Sequence, residues 1–382
     1  MAIRKKNDST VTLVAGGDIG PVIEPMEHYA KLIMPVWRKA DLRFGQCERT
    51  YSTRGREPQF TGSTGGSHSR LPPHMASIWE TTGTEIISLA SNHTMDWGPE
   101  PLVDTRKLFA KMGKYPIGAG KDIKEAREPA IVERNGVKIA FLAYTSVLRD
   151  GQAAGPRTAG MAPLRAYTHY VADDYQPGTP PTVISVPHEG DVAAMQDDIR
   201  RAKQLADVVV MSIHWGVRFA PKTIATYQPT VAHAAIDAGA DLILGHHAHV
   251  PKAVEVYKGK VCFYSIGNFM TNGTGSRSKF FDWNLMWYRV DAECLRDRLY
   301  CLPSHCRMTM VAKAVFSRKG VERVSFLPAH INSKAQPAVV KRKDPKFAEM
   351  LDYMEWVSDQ HAHKFRCDGD EIVVETSGIT GK

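Results

Sequence analysis

The feature that most constrains this 382-residue chain is a recurrence: short apolar runs that end at once in polar side chains. Residues 11–15 run into Gly16-Gly17-Asp18, 85–90 into Ser91-Asn92-His93, and 138–144 into Thr145-Ser146. Later, 207–213 deliver His214-Trp215-Gly216, 241–245 deliver His246-His247-Ala248-His249, and 260–264 deliver Ser265-Ile266-Gly267-Asn268. Runs of this length, rich in Val, Ile and Leu, read as buried strands. Helical patterns fall between them: 99–113, with Pro99 in the first turn and Gly113 as the stop, then 191–206, and 223–238 closed by Gly239. The alternation predicts an α/β layered fold whose polar residues gather on loops at one edge of the sheets, where such folds hold their sites.

Two stretches break the pattern and read as loop insertions within one catalytic domain spanning 1–335. Residues 51–77 are rich in Gly, Ser, Arg and His, and residues 149–187 in Pro, Ala and Tyr. Residues 345–366 carry Phe347, Met350, Leu351, Met354 and Trp356 at helical spacing, and a short strand is expected beyond Cys367. Together 336–382 are expected to form a helical extension that packs on the same domain.

With 43% hydrophobic and 24% charged residues, the chain has a globular composition, which excludes disorder and fibres. The net charge of +8 favours anionic partners, but the cations are scattered through Arg4-Lys5-Lys6, Arg200-Arg201 and Lys341-Arg342-Lys343. Without a basic stripe or a recognisable module, no nucleic-acid partner is expected. A small-molecule or peptide substrate bearing carboxylates fits the charge. No apolar run is long enough for a membrane anchor or a secretion signal, so a cytoplasmic protein is expected. Six cysteines (47, 262, 294, 301, 306 and 367) fit free thiols in that compartment. The group Cys294, Cys301, His305, Cys306 lacks the paired C-x2-C spacing of a zinc site.

The strand ends supply the chemistry. Asp18, Glu48, Asn92, His214, His247 and His249 form a set of oxygen and nitrogen donors suited to a dinuclear metal centre. A carboxylate can bridge two cations, imidazoles bind borderline metals, and an amide oxygen adds a neutral ligand. Two divalent ions, drawn from Mn, Zn, Fe or Co, lower the pKa of a water between them and polarise a substrate oxygen. In an extended loop His247 and His249, flanking Ala248, would point to the same side. Gly245 lets the backbone turn there. Asp18, His93 and His214 are the candidate catalytic residues. Arg49, Arg54, His68 and His74, in or beside the 51–77 segment, and Trp215 and Arg218, after His214, are the candidate substrate-binding residues, since an arginine fork suits a carboxylate. Asp96 and Trp97 are expected to cap and pack the following helix, His246 to fill its loop, and Asn268 to support the site through hydrogen bonds.

The motifs are also specific as a set. Ser88-Leu89-Ala90-Ser91-Asn92-His93-Thr94-Met95-Asp96-Trp97-Gly98 resembles the S-L-A-N-N-H-x-x-D-Y-G signature of the CapA family, named for poly-γ-glutamate capsule biosynthesis. Residues 212–216 resemble its S-x-H-W-G motif, 239–250 its G-A-D-x-x-x-G-H-H-P-H-V motif, and 264–269 its Y-S-L-G-N-F motif. With Gly17-Asp18 and Cys47-Glu48, these blocks span residues 11–270.

The resemblance implies an α/β fold of the calcineurin-like metallophosphoesterase type, a four-layer α/β/β/α sandwich with a dinuclear centre. It implies Asp18 as the first aspartate ligand and Glu48 as the bridging carboxylate. Asn92 matches the asparagine ligand, and His93 the histidine beside it, an acid/base or a support. His214 and His247 match ligands of one metal and His249 a ligand of the other. The chain departs from the phosphoesterase pattern in lacking D-x-H, since Ile19-Gly20 follow Asp18, and in having Glu at the bridging position. Hydrolysis of an amide or peptide-type, carboxylate-bearing substrate is the expected activity. Peptide Cα epimerisation, phosphoester hydrolysis and noncatalytic binding of an acidic polymer are the alternatives.

Overall fold

The computed structural model describes residues 9–56, 70–172, 174–272, 299–300, 302 and 304–378. His68, Cys294 and Cys301 lie outside them. In chain order, the strands of the two main sheets are β1 (Val11–Gly20), β2 (Leu42–Cys47), β3 (Ile86–Ser88), β4 (Tyr115–Ile117), β5 (Ala130–Arg134), β6 (Val137–Thr145), β7 (Val208–His214) and β8 (Leu242–His246). They continue with β9 (Val254–Tyr257), β10 (Lys260–Phe263), β11 (Asn268–Thr271), β12 (Met308–Ser317), β13 (Gly320–Ile331), β14 (Pro337–Val339), β15 (Phe365–Asp368) and β16 (Glu371–Val374). The longer helices are α1 (Pro99–Lys111), α2 (Glu189–Leu205), α3 (Tyr227–Ala238) and α4 (Pro345–Ser358).

One sheet has the order β15-β16-β13-β12-β1-β2-β3-β4, with β11 also on β1 and β14 on β13. Its β1, β2, β3 and β4 run parallel, as does β11 with β1. The other sheet has the order β9-β10-β8-β7-β6-β5, with β6, β7, β8 and β10 parallel. Alternation along the strands assigns the faces. Val11, Leu13 and Ala15 of β1 share one core with Ile139 and Phe141 of β6, Val210 of β7 and Leu244 of β8. Val14 and Ile19 instead pack with Trp37, Trp79, Leu102 and Phe109. Ala140 and Leu142 of β6 pack with Met195 and Ile199 of α2 and Val231 and Ala235 of α3. Each large buried side chain contributes about 2 kcal/mol, so these three clusters fix strand register far more firmly than any one polar contact. The chain is thus a mixed α/β protein in which the C-terminal ends of the parallel strands carry the polar residues.

The helices read from the sequence lie within a few residues of those observed, except at the C-terminus. There α4 ends at Ser358, and Phe365 begins β15, which pairs antiparallel with β16. The expected irregular stretch 149–187 contains an antiparallel hairpin of Ala166–Val171 with Thr182–Pro187. Its Thr, Val, Ile and Tyr residues suit a ladder, although most of them are exposed and show no burial period. Strand β1 runs on to Gly20 rather than stopping at Ala15, because β2 and β11 pair with its far end. No helix among the described residues is long and apolar enough to cross a membrane.

The C-terminal segment is fastened from inside. Phe347, Met350, Met354 and Val357 of α4 join the core shared by the two sheets. Val254 N–H donates to Ser358 Oγ at 3.0 Å and Val256 N–H to the Ala362 carbonyl at 2.7 Å. Between them, Glu255 meets Tyr264 hydroxyl at 2.6 Å, His233 Nε2 at 3.0 Å and His361 Nδ1 at 3.9 Å. Burial alone would raise the Glu255 carboxyl, but the contacts from His361, Tyr264 and His233 outweigh it and hold the group down at about 2. A depressed carboxyl stabilises the fold above its unfolded value of 4.5 and loses that contribution as the pH falls towards 2. Glu255→Gln is therefore expected to cost up to about 3 kcal/mol at pH 7 and much less at pH 3, by urea unfolding at the two pH values. An equal cost at both would assign the loss to packing instead.

Candidate metal centre

Backbone geometry delivers each donor. The β1–β2 register shifts between Gly16 and Asp18, so Gly17 is a bulge residue that turns Asp18 inward. A Cβ on Gly17 would lie 1.8 Å from the Gly267 carbonyl oxygen, so this close approach demands glycine. Glu48 directly follows β2, Asn92 and His93 lie in the turn after β3, and His214 is the last residue of β7. His247 and His249 follow β8 with φ of 84° and 60°, so the loop is left-handed at both positions and not extended. Histidine tolerates that region better than most residues, and the turn keeps the two rings together, with centroids 6.1 Å apart.

Three groups converge on His214 Nε2: Asn92 Oδ1 at 2.8 Å, His247 Nδ1 at 3.1 Å and Glu48 Oε1 at 3.3 Å. One imidazole nitrogen has at most one proton, so hydrogen bonding cannot satisfy a carboxylate, an amide oxygen and a second imidazole at once. Asp18 stands beside them, and ligand atoms of Asp18, Glu48 and His214 all lie within 4.8 Å of one another. Both Asp18 oxygens and Glu48 Oε1 are buried without a hydrogen-bond partner; His249 Nδ1 lies 3.1 Å from Asp18 Oδ2. Buried, unpartnered carboxylate oxygens facing neutral nitrogen donors are costly in a bare protein and are the donor set a divalent cation takes. The residues therefore fit a metal ion.

Electrostatics support the same assignment. Burial, and next the neighbouring Asp18 charge, raise the Glu48 carboxyl. Burial and then His247 push His214 well below its ordinary value, while burial, His249 and Arg218 do the same to His247. Both imidazoles are thus neutral at pH 7 and keep a lone pair for a ligand. His249 is the exception: burial disfavours its charge, but the Asp18 and Glu48 carboxylates and Asn268 outweigh burial and raise it. His246 is not part of the centre. It is buried, held down to about 3 by burial, without a partner at either nitrogen, and stacked on Phe44.

His93 stands at the margin with both ring nitrogens engaged. Asn92 Nδ2 donates to its Nε2 at 2.9 Å, leaving Nδ1–H to donate to Asp96 Oδ2 at 2.8 Å. Asp96 therefore orients His93 rather than capping α1, whose N-cap residue is Gly98 with no side-chain cap. The His-x-x-Asp spacing could have announced this contact. Arg149, which sequence reasoning passed over, approaches Asp96 Oδ1 at 3.7 Å. Arg218 is half-buried, acts on the charge of His247 and lies over the Phe219 ring.

The remaining candidates have other partners. Arg49 is buried and donates to the backbone oxygens of Gly20, Glu48 and Asn272 at 2.9, 3.4 and 3.3 Å, tying three strand ends together beside the carboxylates. Arg54 forms a two-pronged pair with Asp104 at 2.8 and 2.5 Å, and His74 meets Glu24 at 3.3 Å on the surface. Trp215 is buried, donates to the Tyr264 carbonyl at 2.9 Å and stacks on that ring. Cys47, Cys262 and Cys367 are free thiols.

Among known proteins, the chain is 31% identical over 248 residues to the PGA biosynthesis protein CapA of Bacillus subtilis, covering 65% of this chain and 57% of that one. It is 34% identical over 201 residues to the capsule biosynthesis protein CapA of Bacillus anthracis, covering 52% and 42%. A probable polyglutamine synthesis accessory protein of Mycobacterium tuberculosis is 30% identical over 218 residues, covering 55% and 52%. The chain thus spans about half the length of the relatives it matches. A solved structure of a hypothetical protein from Thermus thermophilus aligns with a TM-score of 0.46 and 13% identity, over 83% of this chain and 98% of that one. The model of the family described as bacterial capsule synthesis protein PGA_cap matches residues 12–273, well over half of the sequence and all of the metal-competent residues, and this chain belongs to that family.

Proposed function

We propose that this protein is a dinuclear metal-dependent hydrolase of an amide or peptide-type substrate that carries carboxylates. The observation that supports it most directly is the convergence of Glu48, Asn92 and His247 on one neutral nitrogen of His214, beside the unpartnered Asp18. One ion would be held by Glu48, Asn92, His214 and His247, and the other by Asp18, Glu48 and His249. Bound there, two divalent ions would supply Lewis acidity towards a carbonyl and a more acidic water at neutral pH. His93, its Nδ1–H held by Asp96, would move a proton through Nε2 once that nitrogen exchanges Asn92 Nδ2 for the substrate. Arg218 and Arg149 supply positive charge near the centre for a substrate carboxylate. The names of the relatives, which refer to PGA biosynthesis and to capsule biosynthesis, suggest a glutamyl polymer or peptide. The shared core between two sheets and the helices packed on their outer faces are consistent with one four-layer α/β/β/α sandwich of the metallophosphoesterase type.

The test is to strip the protein with a chelator, reload it with Mn2+, and incubate it with poly-γ-glutamate and short γ-glutamyl peptides in D2O. Mass spectrometry should show metal-dependent cleavage, and His93→Ala should lower the rate by about 10²–10⁴-fold while bound metal is retained. Deuterium at Cα without cleavage would replace hydrolysis with epimerisation. Release of phosphate from an aryl phosphate, with peptides untouched, would replace it with phosphoester chemistry. Polymer binding that survives metal removal, with no turnover, would leave a binding protein.

A further inference from the structure

Asn268 lies opposite Asp18 in the parallel pair of β1 and β11, so strand register alone brings its side chain beside the carboxylate. Its amide is buried. Oδ1 lies 2.9 Å from His249 Nδ1, while Nδ2 lies 3.2 Å from the His249 backbone oxygen and 2.8 Å from the Tyr300 hydroxyl. The Tyr300 hydroxyl in turn lies 2.5 Å from the Cys306 carbonyl oxygen.

The two carbonyls fix the direction of every proton in this chain of contacts. The Cys306 oxygen can only accept, so Tyr300 donates to it and its single proton is committed. Towards Asn268 the hydroxyl therefore accepts, as does the His249 carbonyl. Both require the amide NH2. Turning the amide over would set Oδ1 against two acceptors and leave buried groups unsatisfied, which costs more than an ordinary hydrogen bond gains. Oδ1 consequently faces His249 Nδ1, and an acceptor there needs a proton on that nitrogen. Asp18 Oδ2 lies 3.1 Å from the same nitrogen without a hydrogen bond to it, so the demand comes from Asn268. The Phe219 ring, stacked on His249 at 5.2 Å and 25°, restrains the plane of the imidazole, and the Thr309 hydroxyl anchors the Asn268 carbonyl.

We infer that Asn268 and Tyr300 are positioning residues of the metal centre: they keep a proton on His249 Nδ1 and so leave Nε2 as the nitrogen His249 gives to an ion. The consequence for metal binding rests on the proposed dinuclear centre, whereas the position of the proton does not. Hydrogen-bond partners of metal-ligating histidines typically change affinity by about 10–100-fold when removed. Tyr300 lies 32 residues from Asn268, outside every motif, so its part emerges only from the fold.

Two measurements test this. Long-range 1H–15N spectra of the metal-free, histidine-labelled protein at pH 8.5, with His249→Gln for assignment, should show the His249 proton on Nδ1. A proton on Nε2 alone overturns the inference. Mn2+ titration calorimetry should then show that Tyr300→Phe and Asn268→Ala weaken one ion by about 10–100-fold and leave the other unchanged. Equal weakening of both ions, or none, overturns the positioning role. If the unmodified protein takes up no Mn2+, the dinuclear reading fails separately, and the spectra alone uphold or overturn the proton's position.

Discussion

Glu48→Gln is expected to move metal binding and metal-free stability in opposite directions. Burial and the adjacent Asp18 charge raise the Glu48 carboxyl, and neither its Oε1 nor either Asp18 oxygen has a hydrogen-bond partner. His249 and Arg49 offset only part of the cost of holding two such groups together in a bare fold, since the Glu48 carboxyl is still raised. Glutamine has nearly the same shape and removes one of the charges. The metal-free variant should therefore melt about 1–3 °C above the metal-free parent, a shift equivalent to roughly 1–2 kcal/mol in a chain of this size. In the presence of Mn2+ the order should reverse, because an uncharged amide is a poor bridge between cations. Elemental analysis should find less than one ion per chain, and turnover should fall by more than about 10³-fold. Unchanged metal content would remove Glu48 from the centre. A lower melting point for the metal-free variant would mean that attractive contacts hold the carboxylate, contrary to the geometry. Sites that sacrifice stability for chemistry are expected to respond in this way.

Gly17→Ala should have the largest structural effect of any single methyl addition at the centre. The added Cβ would meet the Gly267 oxygen at 1.8 Å, and that oxygen belongs to backbone held between Pro251 and β11. No rotamer change relieves a clash between two main chains. Either β1 leaves β11 or the bulge straightens, and both outcomes withdraw Asp18 from His249 and Asn268. A destabilisation of about 4 kcal/mol or more is expected, together with loss of metal binding even where soluble protein is recovered. Circular dichroism melts and metal content check both. A variant within about 1 kcal/mol of the parent with full metal content would show that the bulge can be rebuilt elsewhere along the strand.

These two residues also mark where the sequence is readable and where it stops. Asp18, Asn92, His214, His247 and His249 announce themselves because each follows an apolar run, and parallel strands bring such ends to one edge. Glu48 needs the neighbouring motifs for support. The bulge at Gly17 leaves only a Gly-Gly pair in the sequence, and nothing local says that Asp18 remains within the strand. The left-handed turns at His247 and His249 overrule the extended loop that spacing suggests, because φ depends on how the chain must leave β8. Arg49 carries the charge expected of a substrate clamp but spends its donors on three backbone oxygens. That choice depends on strand ends far apart in sequence. Asp96 looks like a capping residue until Gly98 takes the N-cap position and frees its carboxylate for His93. Tyr300 is the extreme case: its importance comes only from a distant amide that needs an acceptor.

The donors are divided between the two sheets. Asp18, Glu48 and Asn92 come from the first, and His214, His247 and His249 from the second. An ion held by both sets is therefore also a clasp across the seam between the sheets, closing the end where the strands present polar groups instead of apolar ones. Ligand linkage sets the size of that effect: free metal at about 1,000 times its dissociation constant adds about 4 kcal/mol to the folded state. The cell's supply of divalent ions would then govern how long the open end of this molecule stays shut, as well as how fast it turns over.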